Sequence, residues 1–148
     1  MALLTTAFNG TSTGPRQQFS YFRAAHAVRI TSDGGDFQFG TQSPTPPGWG
    51  TRSLLIPPNP VGDAHPKIYV AFSTPVQQVA AKSVIKPGGT EGQQKAVYRK
   101  ADGTVIATEG PEAGGTLTFA VGPTHSGIAS VEYIDCGGLD NLAFAPKE

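Results

Sequence analysis

Apolar and polar side chains alternate with a period of two over the last fifth of this chain, and this alternation restricts the fold more than any other feature. Leu117, Phe119 and Val121 alternate with Thr116, Thr118 and Ala120, and the alternation resumes over residues 128–135 after a Pro-Thr-His-Ser-Gly turn. A strand exposes every second side chain on one face, whereas a helix repeats every 3.6 residues. We therefore predict strands with one buried face here.

The same pattern recurs along the chain, over residues 24–31, 67–72, 76–85, 94–99 and 104–108. Asp102-Gly103 separates the last two of these runs and is a strong signal for a tight hairpin turn. The 19 glycines and 13 prolines are unfavourable inside helices. About eight or nine short strands at roughly ten-residue spacing predict an all-β fold, an antiparallel β-sandwich.

The chain shows no internal repeat and no shift in composition, so we predict a single β-sandwich domain over residues 1–148, with residues 1–20 as an N-terminal arm or first edge strand. Residues 41–66 are proline-rich and predict a long surface excursion. The expected core consists of the apolar residues of the alternating runs: Val28, Ile30, Leu55, Ile68, Val70, Phe72, Val79, Val84, Val97, Val105, Leu117, Phe119, Ile128, Val131, Ile134, Leu142 and Phe144.

Several classes of function lack their sequence signals. The charge is balanced at 11 basic and 11 acidic residues without a basic run, so we expect no nucleic-acid partner. The single cysteine, Cys136, excludes an intrachain disulfide and a thiolate zinc cluster within one chain. The three histidines lack metal-ligand spacing, and no nucleophile elbow, P-loop or dinucleotide fingerprint is present. We therefore expect binding rather than catalysis.

No apolar stretch approaches the length needed to span a membrane, and residues 1–6 lack the basic and apolar regions of a signal peptide. Two interpretations stay open. In one, the sequence is a mature domain without its leader; in the other, the protein acts where it is made.

Four short motifs carry a family resemblance. They are the Gly-Ile-Ala-Ser-Val run at 127–131, the Leu-Asp-Asn-Leu-Ala-Phe segment at 139–144, the strand at 68–76 ending in Phe-Ser-Thr-Pro-Val, and the Tyr-Arg-Lys-Ala-Asp-Gly hairpin within 96–106. Over residues 68–144 the chain resembles the galactose-binding-like, jelly-roll β-sandwich domains of bacterial extracellular proteins, which include carbohydrate-binding modules. The resemblance implies a jelly-roll sandwich, a carbohydrate or surface-glycan partner, and an extracellular or cell-surface location.

The resemblance also implies a structural calcium ion. In such domains the aspartate of the last strand, here Asp140, joins oxygen ligands from the N-terminal part to hold this hard cation. The usual N-terminal glutamates are missing, since Arg29 and Thr31 stand at the corresponding strand, and Asp33 and Asp36 in the following turn are the expected substitutes. In the alternative interpretation, Asp140 caps or hydrogen-bonds a bend in the strand.

Aromatic residues are the candidate ligand contacts. Trp49, the only tryptophan, lies between glycines in the proline-rich segment, where it either stacks on a sugar ring or folds back to plug the end of the sandwich. The tyrosines Tyr69, Tyr98 and Tyr133 alternate with core residues, so they either share an outward face with Arg99, where they hydrogen-bond sugar hydroxyls, or form ordinary cross-strand pairs.

These observations predict a non-catalytic binding module for carbohydrate or a surface glycan. The alternative is a structural or assembly module of a surface or particle protein, in which the N-terminal arm and proline-rich loop contact neighbouring subunits. A hydrolase is the third option. The sequence does not specify the oligomeric state.

Overall fold

A computed structural model describes residues 3–6, 8, 15–23, 25–41, 52–56, 66–85, 93–111 and 115–147. Within these ranges every regular element is a strand, which confirms the predicted all-β fold. No helix in the described ranges is long and apolar enough to cross a membrane. The strands are β1 Leu4–Thr6, β2 Gln18–Arg23, β3 His26–Asp33, β4 Gln38–Gly40, β5 Ser53–Leu55, β6 Lys67–Ile85, β7 Lys95–Arg99, β8 Val105–Glu109, β9 Thr116–Ala120, β10 Ile128–Ile134 and β11 Cys136–Pro146.

Strand β6 organises the fold because its two halves have different neighbours. The first half pairs with β3 and β10, whereas the second half pairs with β11 and β9, all antiparallel. Between the halves, the register with β10 jumps from Ala71 to Val76, and Pro75 lies in this gap. Proline has no N–H to donate to a ladder, so it suits the position where pairing is interrupted. The strand therefore turns a corner from one layer of the fold into the other.

The link between β10 and β11 shows that the two layers face each other. Tyr133 pairs with Ile68 at the start of β6, and Cys136 pairs with Ile85 at its end. Only three residue steps connect Tyr133 to Cys136, a reach of at most about 10–11 Å. Packed sheets lie about 10 Å apart. The two halves of β6 thus lie in opposing layers, as in a β-sandwich.

The first layer runs in the order β2-β3-β6-β10-β7-β8. The second layer contains β9, the second half of β6, β11 and, on the far side of β11, both β1 and the β5-β4 pair. Because β1 pairs with β11 and Phe8 is buried, the N-terminal segment contributes an edge strand and a core side chain.

The core lies between the layers and matches most of the predicted list. Val105 is the clear error: its side chain is 49% exposed, because β8 pairs only with β7 among the described strands and Val105 begins it. Four other expected core residues are partly exposed, namely Leu55, Val84, Phe119 and Ile134. Val97 is only 9% exposed, but it lies opposite Glu132 on the outward side of the first layer rather than in the core. The structure adds an aromatic cluster that the alternation did not predict, formed by Phe8, Phe19, Tyr21, Phe37 and Phe39.

Candidate functional site

The outward side of the first layer is a polar surface built from regular rows of side chains. Residues directly opposite each other in antiparallel strands project to the same face. One row across the layer therefore consists of Gln18, Thr31, Tyr69, Glu132, Val97 and Thr108, and the next consists of Ser20, Arg29, Ala71, Ser130, Arg99 and Val105. A third row on the same side consists of Asp33, Lys67, Ile134 and Lys95. We call the surface formed by these three rows the outer face.

Glu132 lies at the centre of the outer face and is its most deeply held polar group. It is only 5% exposed. Arg99 Nη1 donates a hydrogen bond of 2.6 Å to Glu132 Oε1, and Lys67 Nζ lies 3.5 Å from Oε2. Cationic partners on both oxygens offset the hydration that a covered carboxylate loses. Glu132 therefore holds two cationic side chains in place.

Tyr69 stands directly opposite Glu132 on the neighbouring strand and is partly exposed. Burial of the ring, and then the negative charge of Glu132, raise the pKa of Tyr69 above its usual value. Its hydroxyl thus stays protonated and available as a donor at neutral pH. Tyr69 and Arg99, both predicted ligand contacts, thus lie on either side of Glu132, on the two neighbouring strands.

The prediction that Tyr69, Tyr98 and Tyr133 share an outward face is wrong for the last two of them. Tyr98 and Tyr133 are fully buried in the core. Tyr133 follows Glu132 directly in β10, so the alternation of the strand sends the two side chains to opposite sides of the layer. Burial, followed by the proximity of Tyr98, Cys136 and Tyr21, raises the pKa of Tyr133 well above its usual value. Neither buried ring is in contact with solvent on the outer face.

Beside this network lies a shallow groove of about 280 Å³. Its lining comes from β2, β3 and β6 and consists mainly of small side chains: Ser20, Ala27, Val28, Arg29, Ala71, Phe72 and Ser73. Arg29 is the one cation in this lining, and its Nη2 donates a hydrogen bond of 2.9 Å to the amide oxygen Oε1 of Gln18. The groove and the Glu132 network are adjacent parts of one surface.

The predicted calcium ligands are distributed over both layers. Asp140 is fully buried in β11 opposite Lys82, whereas Asp33 ends β3 opposite Lys67, and Asp36 is exposed. Within the described ranges, no three acidic, histidine or cysteine side chains come together in a group that fits a metal ion. Calcium binding therefore stays a prediction from the resemblance.

The geometry around Asp140 matches the alternative interpretation of a strand bend. The register between β11 and β6 shifts between Asp140 and Ala143, and Asn141 has a φ of 51°. One extra residue in one strand produces a β-bulge, and asparagine tolerates the left-handed conformation better than most residues. Asp140 thus opens a bulge in the last strand.

The remaining candidates are Trp49, the histidines and Cys136. Trp49 and His65 lie outside the described residues, and the role of Trp49 stays a prediction. His26 packs against Phe144, whereas His125 Nδ1 accepts a hydrogen bond of 3.0 Å from the Gly127 N–H. Burial raises the pKa of the Cys136 thiol to about 12, which keeps the thiol protonated at neutral pH.

The sequence analysis missed Glu132, Lys67 and Arg29 as members of the surface. A signal for Glu132 was present, because it is the only charged residue in the run of small, apolar and aromatic residues at Ile128–Ile134. A charged residue inside such a run needs a partner on its own face. No protein-family model matches the sequence, and no significantly similar protein was found among curated proteins.

Proposed function

We propose that this protein is a non-catalytic binding module that recognises carbohydrate through the outer face. The observation that carries the proposal is the Glu132 carboxylate, held by Arg99 and Lys67 beside the partly exposed Tyr69. We also propose, from the sequence resemblance, that the sandwich is a galactose-binding-like jelly roll that acts outside the cell or at its surface.

The chemistry of the outer face suits a ligand rich in hydroxyl groups. Arg99 and Lys67, both held by Glu132, present donors, and the Tyr69 ring offers an apolar plane beside them. The ion pairs already restrict the two cationic side chains, so binding orders fewer rotamers than it would on a free surface. Because Glu132 has a cation on each oxygen, the arrangement favours binding over proton abstraction.

A glycan array followed by calorimetry tests the proposal. The parent protein should bind a defined set of glycans, and Tyr69→Ala should weaken that binding by about 1–2 kcal/mol, roughly 5- to 30-fold, with little change in Tm. Leu3→Ala is the matched control, since Leu3 is exposed and directly precedes β1 of the second layer. The absence of any glycan signal for the folded parent would contradict the proposal.

One observation favours the second candidate, an assembly module. Phe22 is 77% exposed on β2, and β2 pairs only with β3 among the described strands. An open edge carrying a large apolar side chain is a surface that a neighbouring subunit can cover. Sedimentation of the parent and of Phe22→Ser distinguishes the two candidates. An oligomer that Phe22→Ser dissociates supports assembly, whereas a monomer at all concentrations contradicts it.

A further inference from the structure

The outer face carries a local excess of positive charge, although the chain as a whole is neutral. Its register places four cations and two anions on the same side of the first layer. The cations are Arg29, Lys67, Lys95 and Arg99, and the anions are Asp33 and Glu132. The surplus of two positive charges on one face attracts anionic ligands to it.

Lys67 and Arg99 are compensated, whereas Arg29 and Lys95 form no ion pair with another described residue. Glu132 binds both Arg99 and Lys67, and Asp33 stands opposite Lys67. Arg29, in contrast, is exposed and donates to the neutral amide of Gln18. It takes part in no ion pair with another described residue. Of these two cations, Arg29 alone lies at the wall of the shallow groove.

The groove floor beside Arg29 leaves room for a ligand. Ala71 lies next to Arg29 in the same row, followed by Ser130 and then Arg99. Three strand spacings separate the α-carbons of the two arginines, about 14–15 Å. Small side chains thus fill the interval between two guanidinium groups. A guanidinium binds a carboxylate or sulfate through two parallel hydrogen bonds, which a neutral sugar does not offer.

From the charge of Arg29 and the small-residue floor beside it, we propose that the outer face selects acidic glycans, with an anionic sugar substituent bound by Arg29 over Ala71. This inference rests on the proposed function and specifies the class of glycan. A nucleic acid is the less favoured anion, because its affinity arises from many phosphate contacts, whereas this face has a surplus of only two charges.

The test compares ligands that differ only in charge. A galacturonic-acid oligomer and its fully methyl-esterified form share one backbone, and calorimetry measures the affinity of the parent protein for each. We expect the acid to bind at least about tenfold more tightly, because charge-assisted hydrogen bonds are about twice as strong as neutral ones, with the preference decreasing as salt is added. A sulfated galactan oligomer, measured in parallel, distinguishes a sulfate from a carboxylate as the preferred anion.

Two variants test whether Arg29 causes the preference for the acid over its ester. Arg29→Gln should reduce the acid preference to roughly twofold or less while Tm stays unchanged, since the variant removes the charged contact and Arg29 is exposed. Lys147→Gln removes one positive charge beyond the end of β11 in the second layer and should leave the preference intact.

Equal affinity for the acid and its ester, or an acid preference that survives in Arg29→Gln, would overturn the inference while leaving the proposed function in place. Binding of no glycan at all would instead remove both. Displacement of the oligomer by single-stranded DNA at equal charge concentration would also overturn the inference, since the face would then select charge rather than sugar.

Discussion

Substitution of Gly127 by alanine tests the corner on which the two-layer fold depends. Gly127 precedes β10 and has a φ of 106°, a conformation that costs an L-residue about 1–2 kcal/mol. A Cβ built there would lie 2.8 Å from the Pro75 Cβ and 3.1 Å from the Val76 carbonyl oxygen, at the corner of β6. Relief of such a contact by backbone movement adds about 1–2 kcal/mol. We expect a total loss of about 3 kcal/mol, or roughly 6–12 °C in Tm for a domain of this size.

Two other glycines separate the cost of the positive φ from the cost of the close Cβ contact. Gly103 also has a positive φ, 88°, but a Cβ there meets nothing within 4 Å, so Gly103→Ala should show only the conformational cost of about 1 kcal/mol. Gly122 has neither feature, and Gly122→Ala should be close to neutral. Urea unfolding with an unchanged m value measures all three. Equal midpoints for Gly127→Ala and Gly122→Ala would refute the packed corner.

Three further predictions concern buried polar groups. Burial raises the pKa of Tyr21 to about 12, although Thr6 and Arg23 partly oppose the shift, so its stabilising effect is complete below the usual value of 10.0 and is lost as the pH rises through about 12. Tyrosinate absorbance and unfolding should appear together in that window, and ionisation of all four tyrosines in a still folded protein would contradict this. A calcium ion held through Asp140 should add about 2.7 kcal/mol at a hundredfold excess over Kd, an effect that Asp140→Asn removes. Equal Tm values in calcium and in chelator would leave Asp140 with its role in the bulge. The Tyr133 hydroxyl is buried without a hydrogen-bond partner in the described ranges, so Tyr133→Phe should leave stability unchanged or raise it by about 1 kcal/mol, and a clear loss would reveal a bound water.

The alternation of the sequence predicted the fold class because each strand has one buried face. The alternation is also interrupted at the corner of β6, but the sequence did not show that the strand continues through the interruption. Residues 67–72 and 76–85 were predicted as two strands, whereas the structure has one strand of 19 residues whose halves pair in different layers. The interruption at Pro75 is visible in the sequence, but the continuity across it depends on partners that are distant along the chain.

The sequence predicted which residues form strands better than it predicted the side of the sheet to which each side chain projects. The three tyrosines were compared with their own apolar neighbours, but whether they share a face depends on the register between β6, β7 and β10. That register places Tyr69 opposite Glu132 and sends Tyr98 and Tyr133 into the core. Register is fixed by long-range pairing and by turns, so no local pattern specified it.

The central claim is that the outer face of the first layer is the recognition surface, and NMR mapping of bound glycan tests it most directly. Backbone amide signals of the parent are followed while the best ligand from the array is added. The account predicts that shift changes concentrate at the outward residues of β3, β7, β10 and the first half of β6, around Tyr69 and Glu132. Changes confined to β9 and β11 of the second layer, or to the segment around Trp49, would contradict it.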